Sequence, residues 1–208
     1  MSASVDGSSL LNSLDLAGLP QNKKLDTRQL NYLKNVGISL GVGVFGGLAG
    51  DQIASLAGKI GIIPDLDWSQ MMIQMCVNVA EIDNFYLRVL VLAPTAEEVV
   101  FRYGIQDILL KKLPKKIINA IAPNKTNVLD STIAKVNRIA LAAGLFAAAH
   151  CVNYGFYPDA YIIPQVVGSF VAGVAFGVLK ESKCGIVGAM TAHFACNLLA
   201  SLDLPKYC

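Results

Sequence analysis

Between Ala93 and Arg102 the chain reads Ala-Pro-Thr-Ala-Glu-Glu-Val-Val-Phe-Arg, inside an apolar run from Phe85 to Leu110. On insertion scales a charged side chain at the centre of a spanning helix costs about 2.5–3.5 kcal/mol. Three of them facing lipid would cost on the order of 8–10 kcal/mol. The segment is therefore expected to turn these groups toward other helices or a wet cavity, each with a partner. Glu98 and Arg102 stand at i,i+4 with the acid N-terminal, the favoured order for a helical ion pair. Glu97 lies about 100° further round the helix, away from that arginine. One acid is pinned and its neighbour is available, which points to chemistry.

The rest of the chain supports a membrane setting. Of its 208 residues 54% are hydrophobic and 15% charged, against about 25% charged in soluble domains. The expected fold class is all-α, a polytopic transmembrane helical bundle with about five spans. These are placed at Val36–Ile63, Phe85–Leu110, Ile139–Tyr157, Tyr161–Leu179 and Cys184–Leu202. Two domains are expected: a polar N-terminal tail over residues 1–34 and a helical domain over 35–208. Pro64 to Trp68 reads as an acidic turn with an interfacial tryptophan. Met71–Ala80 is apolar but too short to span, since a helix needs about 20 residues; it is either re-entrant or the start of a longer helix. Glycines at 43, 46, 47 and 50 in the first span, and at 173 and 177 later, give small-xxx-small faces for close packing.

Charge sets the expected orientation. The basic end of the tail, a soluble loop over 111–138 and Lys180/Lys183 fall on one side. Asp65, Asp67, Glu81, Asp83 and Asp159 fall on the other. An integral multi-pass protein with a cytoplasmic N-terminus satisfies this pattern. The lipid bilayer is an expected partner, and no nucleic acid is. The five cysteines have no CxxC spacing and are read as reduced core residues.

The chain has two histidines, His150 and His193, each inside a different apolar span. Phe146 and His150 share one helix face at i,i+4, and so do His193 and Asn197. At about 1.5 Å per residue from the nearest basic residue, Glu98 lies about 20 Å deep and His150 about 18 Å. His193 and Asn197 come out at about 15 and 21 Å. Polar groups from three helices are thus expected in one slab, with little polar beyond it.

These motifs in this order, EExxxR (Glu97, Glu98, Arg102), FxxxH (Phe146, His150) and HxxxN (His193, Asn197), resemble the CAAX-protease and bacteriocin-processing family. Its members are intramembrane peptidases related to type II CaaX prenyl endopeptidases. The resemblance covers roughly Tyr86 to Leu202, and many members have more than five spans. It implies hydrolysis of a peptide bond in a membrane-associated or lipidated protein or peptide substrate. It implies Glu97 as general base on the attacking water, with His150 sharing that water. His193 and Asn197 would steady the oxyanion, and Glu98 paired to Arg102 would be the scaffold of the catalytic set.

No cofactor is expected. Zinc is the open variant, since two His and a Glu can hold it, but no HExxH or other local zinc spacing occurs. The alternative class is a non-proteolytic membrane protein, a proton or ion relay or an immunity or regulatory binding protein. A relay predicts polar residues along a continuous path across the membrane, a reaction chamber a cluster at one depth.

Overall fold

The computed structural model describes residues 26–61, 84–153 and 159–203, and all regular structure among them is helical. The expected 64–68 turn and the 71–80 piece lie outside the described residues, as do the first 25 residues of the tail. The chain divides into two units, residues 1–33 and 34–208.

Helix α1 spans Thr27–Lys59 and so begins inside the stretch assigned to the tail. The cause is a reciprocal cap. The Gln29 backbone N–H donates to Asp26 Oδ1 at 2.7 Å, and the Asp26 N–H donates to Gln29 Oε1 at 3.1 Å. Two of the donors that a helix start leaves unpaired are thereby satisfied.

The motif segment is helical from Phe85 to Ile121 but not regular. A short α2 (Phe85–Leu87) gives way to a π turn (Arg88–Leu92), then α3 (Ala93–Glu98) and a second π stretch (Val99–Lys112). α4 follows at Leu113–Ile121, then a 3-10 segment at Pro123–Asp130. α5 (Thr132–Ala149) ends in a 3-10 turn over His150–Asn153, and α6 (Asp159–Glu181) and α7 (Gly185–Asp203) complete the order.

Four helices among the described residues are long and apolar enough to cross a membrane. They are Thr27–Lys59, Thr132–Val152, Ile162–Glu181 and Gly185–Leu202. The motif segment, the remaining expected span, differs in alternating α and π turns. It is also polar on its buried side. Pro94, Glu98, Arg102 and Gln106, spaced four apart, are fully buried, while Val91, Leu92, Val99, Val100, Tyr103 and Leu109 are exposed. This is the pattern a lipid solvent demands, with charge inward and aliphatic surface outward. The protein is an all-α integral membrane bundle.

Two expectations need correction. The 111–138 stretch is not a loop. It holds α4, the 3-10 segment and the first turns of α5, which Ser131 caps by accepting from the Ala134 N–H at 3.2 Å. Its last residue, Arg138, is buried. The span expected to run to Tyr157 ends its α-helical course at Ala149, so His150 stands at a helix end.

Small residues set the helix spacing. A side chain at Gly43 would run into the Ala192 backbone of α7, and one at Gly50 would come within 3.2 Å of Gly168 on α6. Gly173 and Gly177 of α6 admit Phe146 and Ile139 of α5 in the same way. The α6–α7 turn is closed by Gly185 at φ +62°, a conformation costly for any residue with a Cβ. These contacts generate a paired test. Gly43→Ala pushes a methyl against backbone that cannot yield, so a loss of about 1–3 kcal/mol is expected. Gly41→Ala meets nothing within 4 Å and should be neutral or stabilising by up to about 1 kcal/mol. Unfolding midpoints of both variants in detergent check the contrast.

Candidate active site

Glu98 is the hub of the polar interior. Its Oε2 accepts from Arg102 Nε at 3.1 Å, across one turn of the motif helix, and both side chains are wholly buried. Its Oε1 lies 3.1 Å from Nδ1 of His193, which α7 brings in. The other face of that imidazole looks toward Glu97, with Nε2 3.7 Å from Glu97 Oε2. Glu97, Glu98, Arg102 and His193 therefore form one connected group drawn from two helices. The two acids differ as their spacing suggested. Glu98 has no exposure, whereas the Glu97 side chain keeps 34% of its surface accessible.

The terminal nitrogens of Arg102 make no hydrogen bond. They are compensated by rings. The guanidinium carbon lies 5.2 Å from the Phe146 centroid and 6.0 Å from that of Phe176, within the range where a desolvated cation–π contact contributes about 2 kcal/mol. The same rings hold the histidines. Phe176 stacks on His193 at 4.7 Å, and Phe146 meets His193 edge-on at 5.7 Å and His150 at 4.8 Å.

His150 joins the cluster through Phe146 rather than through a carboxylate. Its backbone N–H turns back to the Ala147 carbonyl as the helix tightens into a 3-10 turn. Its ring takes up the Phe146 carbonyl instead, with Nδ1 donating at 2.9 Å. Nε2 is thereby left as the other ring nitrogen, free of that bond.

Asn197 sits elsewhere. Its Nδ2 donates to the Val89 carbonyl at 2.9 Å, and the reason lies in Pro94. In the π turn the Ala93 N–H reaches the Arg88 carbonyl, five residues back. The Val89 carbonyl would in that register bond to the amide of residue 94, which is a proline and has no hydrogen. Asn197 supplies the missing donor from the neighbouring helix.

Polar residues also extend beyond the expected slab. Gln106, buried one turn past Arg102, donates through Nε2 to the Gly177 carbonyl at 3.1 Å and to Glu181 Oε1 at 3.3 Å. Arg138 grips both Glu181 oxygens at 3.2 and 3.3 Å and donates to the Leu129 carbonyl at 2.6 Å. The expectation of little polar beyond the cluster is corrected by this chain, which continues toward the basic segment. Gln106 was readable as the next i+4 step after Glu98 and Arg102. Phe176 and Glu181 carry no local signal.

Among the described residues no group of three or more His, Cys, Asp or Glu side chains is placed to hold a metal ion. His193 Nδ1 is engaged by Glu98, its Nε2 stands 3.7 Å from Glu97 Oε2, and His150 Nδ1 is engaged by its own helix.

The proline–asparagine link yields a test. Asn197→Ala leaves the Val89 carbonyl without a donor and should cost about 0.5–2 kcal/mol. In a Pro94→Ala background residue 94 regains an N–H, so the same change should cost measurably less. A double-mutant cycle on unfolding in detergent reads the coupling directly; strict additivity would contradict the assignment.

Three helices thus carry paired carboxylates and two histidines into one aromatic-lined interior, with Asn197 bracing the motif segment beside it. The family model for type II CAAX prenyl endopeptidase Rce1-like proteins matches residues 84–199, more than half of the chain. No curated protein and no solved structure matches it. The matched residues open at the turn before α2, close within α7 and contain every residue of the cluster, and the chain belongs to the type II CAAX prenyl endopeptidase Rce1-like family.

Proposed function

We propose that this protein is an intramembrane endopeptidase that hydrolyses a peptide bond of a membrane-associated or lipidated protein or peptide. Family membership supports the reaction class. One observation carries the assignment within it: of two adjacent acids, Glu98 is buried and engaged on both oxygens, while the Glu97 side chain stays 34% accessible and holds a buried, unbonded Oε2 3.7 Å from His193 Nε2. A structural pair would bury both. A base that must meet water and substrate needs one of them open.

In this reading Glu97 takes the proton from the attacking water, which His150 helps to orient through Nε2. His193 is held by Glu98 at Nδ1 and stacked on Phe176, so its Nε2 faces the reacting carbonyl in fixed geometry. It is the group that steadies the developing oxyanion, and the proton that Glu97 took from the water passes on to the leaving amine. Arg102 pairs with Glu98 and keeps it aligned. Asn197 is reassigned from oxyanion donor to positioning residue, since its amide braces the Pro94 turn one step before the acids. In this reading the hydrolysis uses no metal.

Glu97→Gln is expected to accumulate normally and to lose activity by at least about 10²–10⁴, as for removing a general base. Glu98→Gln strands Arg102 and should lose about 3–5 kcal/mol of stability. Comparing the membrane proteomes of cells carrying intact protein and Glu97→Gln identifies the substrate by the fragments that disappear. Activity that survives dialysis against a strong chelator supports the metal-free reading. Zinc lost with activity and restored with it would replace that reading while leaving the peptidase assignment in place.

The N-terminus and the 111–138 segment are proposed to face the cytoplasm, on the strength of their basic residues. In a cysteine-free background, a cysteine at Asn127 should react with an impermeant thiol reagent only after the membrane is opened. Labelling in intact cells would invert the topology.

A further inference from the structure

α4 separates its residues by chemistry. At about 100° per residue, Leu113, Ile117 and Ile121 share an arc about 80° wide. Lys112, Lys115, Lys116 and Asn119 share another, about 100° wide, on the far side. The apolar arc is not covered by protein: Leu113 is 45% exposed, Ile117 51% and Ile121 79%. Val128, in the 3-10 segment that follows, is exposed as well. In a membrane protein a short helix of this kind, at the end of a span, lies with its apolar side among acyl chains and its lysines at headgroup level.

The polar side has a shape of its own. Lys112, Lys115, Lys116 and Asn119 line an open groove of about 350 Å³, closed on its other wall by Thr126. Residues 111–138 contain seven basic residues and one acid. Some of that charge is matched: Lys115 pairs with Asp130 at 2.7 Å, and Lys112 with Asp107 at 2.9 Å. Lys111 and Arg138 are drawn to Glu181. Lys116 and Lys125 have no acidic partner among the described residues. The groove therefore keeps one unpaired ammonium, Lys116, and two whose charge is shared with an acid, beside an amide and a hydroxyl that can donate to phosphate oxygens.

We propose that α4 lies in the membrane interface and that this groove binds the headgroup of an anionic phospholipid. The adjoining apolar arc selects a lipid over a soluble anion, because one molecule then satisfies both sides of the helix. The inference depends on membrane insertion and not on the peptidase reading.

The test uses the full-length protein purified in detergent and incubated with equal amounts of phosphatidylglycerol and phosphatidylcholine, with bound lipid counted by native mass spectrometry. The protein should retain phosphatidylglycerol in clear preference, and raising the salt concentration should weaken that preference. A lysine near an anionic surface contributes about fivefold. The K112Q/K115Q/K116Q variant is therefore expected to lose about tenfold or more, while K112R/K115R/K116R retains the preference. Equal retention of the two lipids, insensitivity to salt in the unaltered protein, or an unchanged preference in the glutamine variant would each overturn the proposal. Displacement of phosphatidylglycerol by millimolar inorganic phosphate would overturn the choice of lipid and make the groove a soluble-anion site.

Discussion

A single carboxylate, Glu98, is held where water does not reach it, and the architecture follows from keeping it satisfied. An ion in that position costs several kcal/mol unless every oxygen is engaged. Arg102 engages one oxygen and His193 the other. Arg102 then needs compensation for its own buried end, and Phe146 and Phe176 bring their ring faces to it. The same two rings contact His193. Three helices, the motif segment, α5 and α6, are thus tied to α7 through the surroundings of one side chain. Replacing the whole buried pair, Glu98 and Arg102 together, with apolar residues would suit stability alone. Its presence is better explained by what it does to the histidine: it fixes which nitrogen points at Glu97.

The irregular helix around the motif belongs to the same logic. Pro94 makes a regular α-helix impossible at that point, and the chain adopts a π register over Arg88–Leu92. That leaves one carbonyl unanswered in a region with no water to answer it, and Asn197 reaches across from α7. Four residues before Asn197 on the same face of α7 is His193, bonded to Glu98. α7 is therefore stapled to the motif segment at two levels, one just before the acids and one at them. The proline sets the defect, the asparagine uses it, and the histidine's position is the result. At the end of α5 His150 works by a similar exchange, its ring accepting the task of pairing a carbonyl that a tightened turn has released.

Much of this was legible in the sequence, for reasons of scale. The Glu98–Arg102 pair follows from i,i+4 spacing, and so does the shared face of Phe146 and His150. The inequality of the two acids follows from the 100° step between them. The glycine faces of α1 and α6 follow from small-residue spacing alone. What was not legible is what depends on a neighbour's register. No local pattern says that Phe176 lies flat on His193, or that Glu181 at the end of α6 receives Arg138. Arg138 was read as a loop cation because basic residues crowd its neighbourhood. Asn197 was read by its resemblance to a motif and assigned to the reaction. Its use at Val89 depends on a one-residue slip in helical register nearly a hundred and ten positions away, which composition and spacing do not encode.

The polar interior does not stop at the cluster, and its continuation bears on how the site keeps its depth. From Arg102 the buried stripe passes to Gln106, which bonds to the α6 backbone and to Glu181. Glu181 is also the ligand of Arg138 at the start of α5. Six residues beyond Gln106 the same chain becomes Lys112 and then α4. The helix that carries the acids is therefore pinned at its end by a hydrogen-bonded clamp to α5 and α6. With α4 at the interface, as proposed, it is pinned by the headgroup layer too. Glu97 and Leu113 are sixteen residues apart, a separation of about 24 Å at α-helical rise and less in π turns. With α4 at the interface, that separation bounds how far below it Glu97 lies. If Glu97 is the base, as proposed, a substrate bond must enter the membrane by up to that depth, which suits a chain segment delivered by a lipid anchor better than a soluble peptide.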